Sequence, residues 1–153
     1  MAANIDGPVP SFSLNDEAGG TVSSRDLATG KTILFFYPKA MTPGCTTEAC
    51  GFRDRYERFQ ECGYRIIGVS PDAMSANAEF RQKERLPFPL LSDIDHELAA
   101  AFGAWGMKKN YGKEYEGLIR STFVIDDGVI SHAWRNVRAK GHVDRVAQEL
   151  GVD

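Results

Sequence analysis

Cysteine is scarce in this chain, and the scarcity narrows its chemistry. Only three cysteines occur in 153 residues, all between Cys45 and Cys62, which does not fit the even-numbered framework of a secreted, disulfide-stapled domain. No run of lysine and arginine is dense enough to follow a phosphate backbone. The 18 basic and 21 acidic residues are interspersed and leave a net charge of -3, which speaks against a nucleic-acid partner. No segment has the length and apolarity of a membrane span, and Met1 to Pro10 has neither the basic start nor the apolar stretch of a secretory leader. A soluble, cytoplasmic protein is the expectation. Internal repeats, low-complexity tracts and linkers are missing too. With 42% hydrophobic residues, residues 1–153 are expected to form one domain with a core of its own.

What is present reads as alternating strands and helices. Phe12, Leu14 and Val22 flank Asp16-Glu17-Ala18-Gly19-Gly20, the pattern of an N-terminal β-hairpin. Thr32 to Tyr37 is continuously apolar, β-branched and aromatic, and stops at Pro38, as does a strand buried on both faces; Tyr64 to Val69 repeats the pattern. Between them, Ala49, Phe52, Tyr56 and Phe59 recur at the spacing of one helix. A helix over 74–85, a short strand at Leu90-Leu91 after Pro87-Phe88-Pro89, and a helix from about Asp93 to Phe102 follow. Ser121 to Ile125 and Val129 to Trp134 flank Asp126-Asp127-Gly128, an antiparallel hairpin signal, and Val143, Val146, Ala147 and Leu150 mark a last helix. The fold class is α/β, a mixed central sheet flanked by helices with an N-terminal β-hairpin extension.

The segment from Phe36 to Cys50 carries the chemistry. Thr42 before Pro43 reads as a helix N-cap with proline at the first helical position, which puts Cys45 in the first turn. Free N–H groups and the positive end of the helix dipole converge there, so negative charge on the sulfur is favoured and the cysteine is expected to be reactive. Cys50 lies five residues further on. On an intact helix that spacing separates the Cα atoms by roughly 8–9 Å, beyond the ~7 Å limit of a disulfide. If the two bond, the start of the helix must unwind.

Pro38-x-x-x-Thr42-x-x-Cys45 resembles the active-site motif of peroxiredoxins, and Thr42 to Cys50 resembles the bacterioferritin comigratory protein subgroup, also called peroxiredoxin Q. Gly7-Pro8-Val9-Pro10 with Phe12, the stretch from Pro87 to Asp93, and the stretch from Arg120 to Asp126 extend the similarity over nearly the whole chain. Ala40 and Met41 occupy slots where relatives often carry a polar or acidic residue. The resemblance implies a thioredoxin-like fold and an antioxidant peroxidase that reduces hydrogen peroxide and organic hydroperoxides without metal or cofactor. Cys45 would be the peroxidatic nucleophile and Cys50 the resolving thiol. Thr42 would accept from the peroxide while donating toward the sulfur, and Arg120 would stabilise charge beside it. Pro38 would shield the sulfur, and the N–H groups of Gly44 and Cys45 would orient the peroxide. Thioredoxin or glutaredoxin would regenerate the protein. No cysteine follows Cys62, which argues against resolution on a partner subunit and for an internal disulfide. A monomer, or at most a weak dimer, is implied.

Plainer readings stand beside these. Cys45 could be a buried core residue, Cys50 a thiol that never pairs, Arg120 a salt-bridged strand residue, and Cys62 is expected to be core filling. Asp93, Asp95, His96 and Glu97 read as a capping box begun by Ser92 rather than as metal ligands. His132 and His142 read as surface residues; Trp105 and Trp134 read as core, although Trp105 could border the pocket. The rival functions are a disulfide oxidoreductase on the same fold, for which four residues between Cys45 and Cys50 are too many, and a non-enzymatic redox sensor or zinc module, whose ligand spacing is not matched.

Overall fold

The apolar runs become strands close to where the sequence suggests. The computed structural model describes residues 3–110 and 112–152. Strands β1 (Ser13–Asp16) and β2 (Thr21–Ser23) form the N-terminal hairpin, whose turn is closed by Asp16 accepting the N–H groups of Ala18 and Gly20, each at 2.9 Å. A 3-10 turn over Ser24–Leu27 leads to β3 (Lys31–Phe36), then α1 (Pro43–Asp54), α2 (Tyr56–Glu61), β4 (Tyr64–Ser70), α3 (Met74–Glu84), β5 (Leu90–Ser92) and α4 (Glu97–Ala101). Strands β6 (Trp105–Asn110), β7 (Lys113–Leu118), β8 (Ser121–Asp126) and β9 (Val129–Trp134) precede α5 (His142–Leu150). Seven strands form one mixed sheet in the order β2-β1-β5-β4-β3-β8-β9, with β3, β4 and β5 parallel.

The interior strand β3 separates two cores because its side chains alternate. Ile33, Phe35 and, just beyond the strand, Tyr37 pack with Ala49, Phe52, Phe59, Phe80, Val143 and Val146, so α1, α2, α3 and α5 share one face. Leu34 and Phe36 pack on the other face with Leu27, Leu98, Ala99, Phe102 and Phe123. Gly51 lets α1 and α5 close on each other, since a Cβ there would lie 2.9 Å from Val143 Cγ2.

Several expectations are corrected, and one element was not foreseen. The single helix from Ala49 to Phe59 is two, interrupted at Arg55 (φ -106°, ψ 5°), whose N–H turns back to the Arg53 carbonyl while its side chain reaches Asp144 of α5 at 2.7 Å. The helix at Asp93 starts only at Glu97: His96 has φ 48°, and the buried Asp93 carboxylate itself accepts the N–H groups of Leu98 (3.1 Å) and Ala99 (2.9 Å). That replaces the Ser92–Asp95 capping box. The β6–β7 hairpin, a separate two-stranded sheet, was not expected. Finally, Cys62 is exposed at the C-cap of α2, not core filling, and His142 is fully buried.

Candidate active site

Helix α1 begins as its residues dictate. Thr42 is the N-cap in extended conformation (φ -80°, ψ 156°), Pro43 opens the helix, and Cys45 lies in its first turn with its side chain fully buried. Helix geometry leaves the N–H groups of Gly44 and Cys45 without an intrahelical carbonyl, so two donors and the dipole's positive end lie at this sulfur. The Thr42 hydroxyl donates to the Lys39 carbonyl at 2.8 Å instead of to the sulfur. It therefore holds the loop that follows β3 and leaves an oxygen lone pair free to accept. That loop is also held by the Ala40 N–H, which donates to Asp72 Oδ2 at 2.7 Å, and by Met41 at φ 65°, whose side chain packs on the core below. Pro38 is half-buried at the end of β3.

Arg120, immediately before β8, is brought to Cys45 across 75 residues of sequence, with Nη2 3.4 Å from Sγ. Its other nitrogen, Nη1, donates to Glu48 Oε1 at 2.7 Å. Burial works against the guanidinium charge, but Glu48 and Cys45 more than offset it, so Arg120 is held cationic more firmly than usual. Gly44 leaves room for this contact: a Cβ there would sit 3.1 Å from Nη2.

Beneath Arg120 lies a buried polar layer that sequence reasoning missed. Glu48 is fully buried, and burial raises its pKa to about 7 despite the opposing pull of Arg120. Its Oε2 has no hydrogen-bond partner among the described residues and lies 3.7 Å from His142 Nε2. That nitrogen is 2.7 Å from Thr122 Oγ1 of β8. Burial, then the charges of Arg145 and Arg120, lower His142 to about 4, so the imidazole is neutral at pH 7. Spacing could have flagged Glu48, which sits three residues after Cys45 on the same helix; His142 has no local signal, since its partners come from α1 and β8.

The remaining candidates divide. Cys50 is half-buried on α1 and donates from Sγ to Glu84 Oε1 of α3 at 3.4 Å. Burial first, then that hydrogen bond, raise the Cys50 pKa. Lys108 of β6, on the unforeseen hairpin, is lowered by burial and then by Arg120, with Cys45 opposing, so it stands close enough to the site to feel both. Trp105 stacks on His96 with centroids 3.8 Å apart, and Trp134 stacks on His132 and lies edge-on to His142. Among the described residues no three His, Cys, Asp or Glu side chains converge to hold a metal.

Comparison with known proteins gives a consistent result. Residues 5–133 match the AhpC/TSA family. Peroxiredoxin Bcp of Bacillus subtilis is 48% identical over 151 residues, covering 98% of this chain and 96% of its own. Peroxiredoxin Bcp of Escherichia coli K12 is 43% identical over 142 residues, covering 92% and 91%. Among solved structures, the bacterioferritin comigratory protein of Xanthomonas campestris superposes with a TM-score of 0.86 at 37% identity, over 92% of this chain and 90% of that one. A PrxQ mutant of Xylella fastidiosa gives 0.91 at 31% identity, over 99% and 97%. These likenesses bear out the thioredoxin-like fold.

Proposed function

The chain belongs to the AhpC/TSA family and is a peroxiredoxin, a thiol peroxidase of the Bcp/PrxQ type, and from that premise we propose how its residues divide the work within one domain spanning residues 1–153. Cys45 is the peroxidatic nucleophile. Its thiolate attacks the terminal oxygen of a hydroperoxide; the S–O bond forms, the O–O bond breaks, and the departing oxygen takes a proton to leave as water or alcohol. The single observation that carries this reading is the buried Cys45 sulfur in a first helical turn with Arg120 Nη2 3.4 Å away. A fixed cation and two backbone donors stabilise charge spread from sulfur to the leaving oxygen, in a site that excludes bulk water.

Thr42, Gly44 and the Cys45 N–H orient the peroxide, and Pro38 shields the sulfenic acid. Cys50 then displaces hydroxide from that sulfenic acid, forming the Cys45–Cys50 disulfide with loss of water. A dithiol protein, thioredoxin or glutaredoxin, reduces the disulfide by exchange. Because both cysteines belong to one helix, resolution stays within the chain, which fits a cytoplasmic monomer. Peroxide consumption in a thioredoxin-coupled assay tests the scheme. Cys45→Ser should abolish it and Cys50→Ser should allow a single turnover, whereas sustained turnover in Cys45→Ser would reject Cys45 as nucleophile.

A further inference from the structure

The resolving thiol is not idle in the reduced protein. Cys50 Sγ donates to Glu84 Oε1 at 3.4 Å, and one helical turn on, Arg53 Nη1 donates to the Glu84 carbonyl at 2.8 Å. The last residue of α3 thus takes two bonds from α1, one through its side chain and one through its backbone. An S–H bond to a carboxylate is charge-assisted and stronger than one to a neutral acceptor. The contact opposes two things that resolution requires: ionisation of Cys50, and departure of its side chain from α3 as α1 unwinds. The charged groups facing Cys50 are Glu84 from α3 and Arg53 and Asp54 from α1 itself, and of these Glu84 alone both bonds to the thiol and carries negative charge against it.

We propose that Glu84 is a positioning residue for the resolving step, a latch that holds Cys50 protonated and turned toward α3 and thereby sets the lifetime of the Cys45 sulfenic acid. This rests on the reading of Cys50 as the resolving cysteine. The step it governs is balanced without an external reactant: Cys50 gives up its thiol proton, the S–S bond forms, the Cys45 S–O bond breaks, and hydroxide leaves with a proton as water. While the latch is closed the sulfenic acid waits, and excess peroxide carries it on to sulfinic acid. The Cys50–Glu84 bond therefore sets how much of the enzyme is lost to overoxidation.

Glu84→Gln tests this, because it keeps the side-chain shape and an acceptor while removing the charge. Rapid mixing with peroxide, followed by timed alkylation and mass measurement, separates the sulfenic acid from the disulfide. Sulfenic acid formation should proceed at the wild-type rate, disulfide formation should quicken roughly threefold to tenfold, and sulfinic acid under excess peroxide should fall. The pH at which the disulfide step reaches half its maximal rate should also move down; a mere loosening of α1 would raise the rate equally at every pH. An unchanged disulfide rate, a slower one, which would make Glu84 a base, or a gain uniform across pH overturns the latch. If wild type never forms the Cys45–Cys50 bond, the mass of the oxidised protein shows that directly, and it is the assignment of Cys50 that fails.

Discussion

Arg120 presents its two terminal nitrogens to different acceptors, Glu48 Oε1 at 2.7 Å and Cys45 Sγ at 3.4 Å. Glu48 anchors the guanidinium through Nη1, so small changes at Nη2 are felt in the chemistry and not in the fold. Arg120→Met keeps length but removes charge, and should slow Cys45 oxidation by about a hundredfold or more, as does loss of an oxyanion donor elsewhere. Gly44→Ala is the subtler test. Its Cβ, 3.1 Å from Nη2, should push the guanidinium a few tenths of an ångström off the sulfur and cost roughly tenfold in the rate of sulfenic acid formation, with the unfolding midpoint nearly unchanged. A wild-type rate in Gly44→Ala would mean that the Arg120–Cys45 contact does not limit the reaction. The sequence alone pointed to Cys45 through its N-cap and proline; Arg120 came only through the resemblance, because it is 75 residues away. Glu48 carried a signal in its spacing from Cys45, but His142 escaped because a buried charge partner is defined by what packs against it, and that is settled only when α1, α5 and β8 meet.

At the scale of elements, continuous β-branched and aromatic runs were enough to find β3, β4 and β8, since burial on both sheet faces leaves no other composition. The β6–β7 hairpin was not legible for the opposite reason. It is largely exposed, so no alternation shows, and it is held by cross-strand pairs: Trp105 Nε1 donating to Glu116 at 2.8 Å, Lys109 with Glu114 at 3.7 Å, and Lys108 over the Tyr115 ring. Helix α1 is the element on which the proposed reaction depends, and it is continuous from Pro43 through both cysteines. Closing a disulfide across five residues requires that its first turns open, so amide hydrogens of residues 44–52 should exchange faster in oxidised than in reduced protein. Deuterium uptake measured on both forms decides it. Equal protection with the bond in place would show that no unwinding accompanies it.

For the whole molecule, the buried Glu48–His142 layer joins both sides of the proton balance of folding. Glu48, raised to about 7, contributes stability that is fully present below its unfolded value near 4.5 and is lost as pH rises through about 7. His142, lowered to about 4, contributes stability present above its unfolded value near 6.5 and lost as pH falls through about 4. Each effect is on the order of 3 kcal/mol. Between about 4.5 and 6.5 the native state holds the proton of Glu48 while the unfolded chain holds that of His142, so the two slopes cancel and this layer leaves stability flat. Removing either partner should uncover the other. Glu48→Gln should lose stability relative to wild type as pH falls from 6.5 toward 4, because only the His142 effect remains. His142→Asn should gain it as pH falls from 7 toward 4.5, because burial alone keeps Glu48 raised. Urea midpoints at pH 7 and pH 5 measure the two differences, which must carry opposite signs. If Glu48→Gln follows the wild-type profile, Glu48 is ionised across the whole range, and in the reduced enzyme the single cation Arg120 is shared between two anions.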